Sequence, residues 1–141
     1  MIGPETLHAT CVAIDGRGIL LIGASSSGKS DLALRLIDRG AKLVSDDRVT
    51  VQRDGDRLIA STPGAMFGQI EIRAVGICRV EAVREVEVAL IVRLGVEGDR
   101  LPEAPTETVG GIALPLLRLD AHRASAPIKV EMALKQGVGI A

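Results

Sequence analysis

Aromatic side chains are almost missing from this chain. Its 141 residues include one phenylalanine, Phe67, and no tryptophan or tyrosine. The core must therefore be filled by Val, Ile, Leu and Ala. Stacking platforms for nucleic-acid bases need aromatic faces and are not available, so no nucleic-acid partner is expected. Cysteine is nearly as scarce. Cys11 and Cys78 stand far apart, fit no metal-ligand spacing and read as two buried, reduced thiols. There is also no polybasic run. Seventeen Lys and Arg face eighteen Asp and Glu, for a net charge of -1, and the basic residues are scattered. Nothing in that pattern would track a phosphate backbone or an anionic membrane. No apolar run approaches the roughly 20 residues needed to cross a bilayer. The opening Met1-Ile2-Gly3-Pro4-Glu5-Thr6 lacks the basic-then-apolar order of a signal peptide. Together these absences predict a cytoplasmic protein with no membrane partner.

What is present is an ordinary globular composition, 47% hydrophobic and 25% charged. A chain of this length is the usual size of one domain and can fold without disulfides or structural metal, so residues 1–141 read as a single domain. Leu7 to Ile14 is β-branched and apolar and reads as a strand. Asp15-Gly16-Arg17-Gly18 is a turn, and Ile19 to Ile22 completes a hairpin. Lys29 to Arg39 is helical, with Leu32, Ala33, Leu36 and Ile37 on one face and Gly40 at its C-terminal end. Ala41 to Ser45 is a short buried strand. Val49 to Arg53 and Arg57 to Ser61 flank Asp54-Gly55-Asp56 as a second hairpin. Gln69 to Arg73 and Gly76 to Val80 are short strand candidates. Val86 to Leu94 has the strongest strand pattern, apolar enough at its centre for burial on both faces. Gly95 to Gly111 reads as loop, Ile112 to Leu119 as a final strand, and Ser125 to Lys135 as a helix capped by Ser125. The sum is an α/β domain with one mixed, largely antiparallel sheet. It has too few helices between strands for a regular doubly wound fold.

One segment carries chemistry on its own. Gly23-Ala24-Ser25-Ser26-Ser27-Gly28-Lys29-Ser30 fits the Walker A pattern G-x-x-x-x-G-K-[ST] completely. It follows an apolar strand and opens an amphipathic helix, which is the context the motif requires. Small residues let the backbone wrap a phosphate with its N–H groups turned inward, and the helix N-terminus adds partial positive charge. Lys29 brings a mobile full charge to the β- and γ-phosphate oxygens, and the Ser30 hydroxyl is placed to coordinate magnesium. Gly23 and Gly28 are expected to adopt backbone angles that a Cβ forbids. ATP and Mg2+ are the ligands this segment predicts.

Asp46 and Asp47 follow the next strand. An acidic residue there helps hold magnesium in P-loop proteins. Two in succession allow one to be fixed near the metal while the other accepts a proton from an attacking hydroxyl.

At this point the sequence resembles the bacterial HPr kinase/phosphorylases, in their C-terminal catalytic domain. The resemblance runs from His8 to about Arg100 and more weakly to Val130. It rests on His8 at the first strand, the Walker A loop, and Asp46-Asp47-Arg48-Val49. Glu71-Ile72-Arg73-Ala74-Val75-Gly76-Ile77 is similar to the family's E-I-R-G-L-G-I signature, and Asp99-Arg100-Leu101 to its D-R-L-G element. Pro127-Ile128-Lys129-Val130 looks like the family's P-V-K-V element, although its pattern here is helical. The resemblance implies a P-loop kinase domain of the HPr kinase/PEP carboxykinase type, with the family's N-terminal domain absent. It implies a protein-serine kinase acting on the phosphocarrier HPr or a related protein. It also implies the reverse reaction, in which inorganic phosphate removes phosphate from seryl-HPr and pyrophosphate leaves. Asp47 would be the acid/base, supported by His8 and Asp46. Lys29 would hold the phosphates, Ser30 and Glu71 would bind magnesium, and Arg100 would stabilise the transferring phosphoryl group. Self-association into the family's hexamer is implied too.

The residues taken alone leave other readings open. His122 matches no motif and reads as a surface residue, and Phe67 as an ordinary packing residue of a loop. Alternatives to the protein kinase are an ATP-binding regulatory module without efficient transfer and a kinase for a small hydroxyl-bearing metabolite.

Overall fold

The computed structural model describes residues 3–139. Met1, Ile2, Ile140 and Ala141, which the single-domain assignment and the leader argument include, lie outside the described residues. Among the described residues eleven strands and two α-helices are formed, with a short 3-10 turn at Gly64–Met66: β1 Glu5–Leu7, β2 Ala9–Ile14, β3 Arg17–Ile22, α1 Lys29–Asp38, β4 Lys42–Ser45, β5 Val49–Asp54, β6 Arg57–Ser61, β7 Gln69–Ile72, β8 Gly76–Arg79, β9 Glu85–Leu94, β10 Thr106–Val109, β11 Ile112–Leu119 and α2 Ala126–Gln136. Nine strands make one mixed sheet in the order β1-β5-β6-β9-β3-β2-β4, with β11 joined to β9 and β10 to β11. Among the described residues β7 and β8 pair only with each other. Only β3–β9 and β9–β11 are parallel; the other strand pairs are antiparallel, as the sequence pattern predicts. No helix among the described residues is long and apolar enough to cross a membrane.

β9 is the spine of the molecule. Along one edge it carries β3, and along the other it carries β6 at its start and β11 at its end. Its centre is buried on both faces as expected. Leu90 and Val92 join the core beneath the two helices, whereas Val86, Val88 and Ile91 join a second core on the opposite face. The parallel pairing has a functional consequence. Ile22, Leu94 and Leu119 end their strands at the same edge of the sheet, so the loops after β3, β9 and β11 emerge side by side. Ligands of open α/β sheets bind at such carboxyl-terminal strand edges. Neither core contains an aromatic ring. Phe67 lies outside both, in the turn before β7, with the Arg84 guanidinium 4.2 Å above its ring centre.

Three local expectations are corrected. The first strand is broken: β1 pairs with β5 and β2 with β3 and β4, so the chain changes partners at His8 and cannot continue straight through it. The stretch 95–111 is not all loop. Thr106–Val109 forms β10, a hairpin with β11 around Gly110-Gly111. Its Thr-Glu-Thr-Val alternation is polar enough to pass for loop, because a strand paired along one edge need not be apolar. The Ser125 side chain does not cap α2; its carbonyl instead accepts from Lys129 N–H. Residues Pro127–Val130 form the first turns of that helix, as their pattern predicts.

The β10 hairpin is tied down by charge. Arg93 donates from Nε to Glu107 Oε1 and from Nη2 to Oε2, both at 2.7 Å. The Arg93 hydrogen bonds hold the Glu107 carboxyl below its ordinary range, against the opposing effect of burial. A carboxylate whose pKa is lower folded than unfolded adds stability above the unfolded value and loses it as pH falls through the folded one. Replacing Glu107 by Gln is therefore expected to reduce unfolding free energy by about 1 kcal/mol at pH 7. Denaturant titrations should show that gap closing as the pH drops below about 4.

The cysteines also divide, and only one is fully buried as expected. Cys11 is inaccessible in β2, and desolvation pushes its thiol up to about 12, whereas Cys78 on β8 is partly exposed. A thiol reagent at pH 8 should modify one cysteine in the folded protein and two in denaturant, because the thiolate is the reactive form. Equal native reactivity of both thiols would contradict this burial.

Candidate active site

The Gly23–Ser30 loop leaves β3 and delivers the chain into α1. Ser27 N–H closes a turn on the Ala24 carbonyl at 2.9 Å, and Leu32 N–H starts the helix on Gly28 O. The two glycines serve different purposes. Gly28 stands at φ +92°, as predicted. Gly23 is not among the positive-φ residues; it is required by space, because a Cβ there would meet Ser27 Oγ at 2.5 Å and Leu94 Cβ at 3.2 Å. No side chain caps α1, so its first-turn N–H groups remain available to an anion. The Ser27 hydroxyl is buried with no hydrogen-bond partner among the described residues. Lys29 is 5% exposed, and its ammonium donates to Gly23 O at 2.7 Å and Ala24 O at 3.0 Å, so the charge sits inside the loop it would serve. Uncapped amides, an orphaned hydroxyl and an inward-held cation fit a chain of phosphates.

β4 brings the acidic pair to the same place. β2 lies between β3 and β4, and Cys11 is in register with Ser45. Asp46 is fixed by several donors. Its Oδ1 accepts from Ser30 Oγ at 2.8 Å and Thr10 Oγ1 at 3.1 Å, and its Oδ2 accepts from Glu71 N–H at 3.4 Å. Asp47 is presented differently. Arg48 N–H bonds back to Asp46 O at 2.8 Å, placing Asp47 at the centre of a three-residue turn with φ +67°. Such turns are strained, and strain of this kind concentrates at functional sites. Ser45 Oγ braces the turn through the Arg48 carbonyl, and Asp47 N–H donates to Thr10 Oγ1 at 3.2 Å. The Asp47 carboxylate is 65% exposed, and His8 Nε2 stands 3.4 Å from its Oδ1.

The structure thus brings together His8, Ser30, Asp46 and Asp47 beside Lys29. Thr10 was not anticipated, yet its buried hydroxyl links both aspartates. The available signal was that Thr10 sits two residues after His8, on the strand face that also carries Val12 and Ile14. Glu71 reaches the cluster through its main chain, with no protein partner for its carboxylate among the described residues. Arg100 is not brought in. It lines a cleft of about 800 Å³ with Lys129, Arg118 and Val138, which shares no residue with the phosphate loop or the aspartates. The reason is that the chain after β9 turns away across β11, where Gly98 N–H bonds Arg118 O.

The oxygens of Ser30 and Asp46 are hard donors, suited to magnesium. Among the described residues no three His, Cys, Asp or Glu converge into a metal cage. A cation here would rest on these few oxygens, completed by substrate phosphates and water, as magnesium usually is.

A Walker A segment at the parallel edge of a mixed sheet, with an acidic turn beside it, defines an α/β fold built around that segment. The sequence model of the HPr Serine kinase C-terminal domain matches residues 2–95, and the chain belongs to that family, a family of phosphotransferases. Among curated relatives, the HPr kinase/phosphorylase of Limosilactobacillus reuteri is 34% identical over 139 residues, covering 89% of this chain and 41% of the relative. The HPr kinase/phosphorylase of Clostridium perfringens is 48% identical over 82 residues, covering 57% and 26%. The chain therefore spans well under half the length of these relatives. The solved structure of the Hpr(Ser) kinase/phosphatase from Coxiella burnetii superposes with a TM-score of 0.80 at 32% identity, covering 93% of this chain and 88% of that one. The fold expected from the resemblance is the fold observed.

Proposed function

We propose that this chain transfers the γ-phosphoryl group of ATP, with magnesium, to a serine hydroxyl of the phosphocarrier HPr or a related protein. One observation carries the reading: Thr10, Ser30 and Asp46 form a hydrogen-bonded set that fixes one carboxylate beside the phosphate loop and leaves Asp47 exposed next to it. The amides of Gly23, Ala24, Ser25, Ser26, Ser27 and Gly28, with the Lys29 ammonium, would bind the phosphates. Ser30 and Asp46 would hold the cation, and Glu71 could join them through its unpartnered carboxylate. The metal would supply charge neutralisation on the phosphate oxygens. Asp47 would take the proton of the acceptor hydroxyl as the serine oxygen bonds to phosphorus and the bond to the bridging oxygen breaks. His8, 3.4 Å away, would orient that carboxylate. In the opposite direction, Asp47 returns the proton while inorganic phosphate takes the phosphoryl group, which is the phosphorylase reaction.

The test is transfer of label from γ-labelled ATP to purified HPr, repeated in a cell extract. Magnesium-dependent label on a serine of the phosphocarrier is the expected result. Label confined to small molecules would make the chain a metabolite kinase. Tight ATP binding without transfer would make it a regulatory module.

A further inference from the structure

The turn after β11 packs against the phosphate loop, although nothing in the sequence pointed to it. A methyl group at position 28 would stand 3.2 Å from Ala121 Cβ, 3.5 Å from His122 Cε1 and 3.8 Å from His122 Nδ1. The His122 ring therefore borders the loop where it becomes helix. The turn is built to stay there. Arg35, projecting from α1, donates to the carbonyls of Ala121 and Arg123, and its Nε pairs with Asp31 at 3.0 Å. His122 N–H donates to Asp120 Oδ1 at 2.9 Å. The Arg35 guanidinium and the Asp120 carboxylate thus hold main-chain atoms of the turn. The imidazole itself is exposed, and no hydrogen bond or ion pair of its ring is formed among the described residues. A helix anchors the turn by its backbone and leaves one donor-bearing side chain free at the mouth of the phosphate cradle.

Position along a bound nucleotide follows from loop chemistry. In a Walker A loop the backbone amides cradle the α- and β-phosphates, whereas the lysine reaches the β- and γ-phosphates. His122 borders Gly28 from the side of β3 that carries β9 and β11, whereas the acidic turn that contacts Ser30 follows β4, beyond β2 on the other side of β3. Building on the nucleotide reading above, we infer that His122 donates a ring N–H to the α-phosphate of the nucleotide, on the side of the loop away from the transferring group. A neutral imidazole carries one such donor. The residue is then a nucleotide-binding group that distinguishes a nucleotide from pyrophosphate, which presents no α-phosphate beyond the two phosphoryl groups the loop and Lys29 already hold.

Calorimetric affinities for Mg–ATP, Mg–ADP and Mg–pyrophosphate separate the possibilities. His122→Ala leaves every contact that anchors the turn, so folding should be unaffected and the free protein should keep its unfolding midpoint. ATP and ADP affinity should fall about 10-fold, the value of one charge-assisted hydrogen bond, while pyrophosphate affinity changes less than about 2-fold. His122→Gln, which keeps an N–H donor, should recover most of the loss. Unchanged ATP affinity in H122A overturns the inference, and so does an equal loss for pyrophosphate. Failure of the unaltered protein to bind any of the three would instead sink the phosphate-loop reading, and this inference with it.

Discussion

Replacing Lys29 by methionine is expected to weaken Mg–ATP binding roughly 100-fold, since hydrogen bonds from a charged donor to phosphate contribute about 1.5–3 kcal/mol. Lys29 is the one cation inside the loop, and its ammonium is already held on the carbonyls of Gly23 and Ala24. It needs only to exchange those two acceptors for phosphate oxygens. Methionine keeps a long stem in the buried position and removes only the charge and the donors, so the fold should persist. A thermal melt reads the effect directly. Ligand at 100 times its Kd adds about 2.7 kcal/mol to a folded protein, a rise of several degrees for a domain of this size. In K29M at the same concentration that stabilisation should fall to about 0.4 kcal/mol, a rise of roughly one degree. Retention of the full nucleotide-dependent rise would show that the phosphates are bound elsewhere.

Replacing Asp47 by asparagine should lower phosphoryl transfer by about 10²- to 10⁴-fold, the usual contribution of a positioned general base, with ATP affinity within about 3-fold of the original. The choice of asparagine follows from the backbone. Asp47 sits at φ +67°, where asparagine and aspartate are tolerated far better than other side chains. Alanine would add strain to the loss of the carboxylate, so its effect would be ambiguous. The D47N variant can keep the main-chain N–H contact to Thr10 Oγ1, leaving the Ser30–Asp46 contact undisturbed. A parallel fall in ATP affinity would assign Asp47 to ligand binding instead. Transfer at an undiminished rate would leave the reaction without the base proposed for it.

Much of the fold could be read along the chain because it rests on local alternation. The Asp54-Gly55-Asp56 hairpin, the apolar centre of β9 and the buried face of α1 each follow from residues within a few positions of one another. β10 could not be read this way. Its polar alternation is explained by a single partner strand and by the Arg93–Glu107 pair, whose members stand fourteen positions apart in the chain. The break at His8 was equally hidden, since a change of hydrogen-bonding partner leaves no mark on hydrophobicity.

The site divides in the same manner. Gly23 to Ser30 is contiguous, and the amide geometry of a Walker A loop is written into its spacing. By itself, the sequence determined that a Walker A segment exists, that a strand and a helix frame it, and that two adjacent aspartates follow the next strand. Only the tertiary structure decided how each aspartate is presented. Thr10 and Ser30 come from separate elements and both bond to Asp46, while the tight turn leaves Asp47 facing outward. It also decided which distant residues belong. His122 lies 94 positions after Gly28 yet borders it, because β3, β9 and β11 run parallel and end together. Arg100 leaves from that same edge and is carried across β11 to a different cleft. Spacing along a chain fixes contacts within one turn of helix or loop; contacts between elements depend on strand order and direction, which arise only once the sheet has formed.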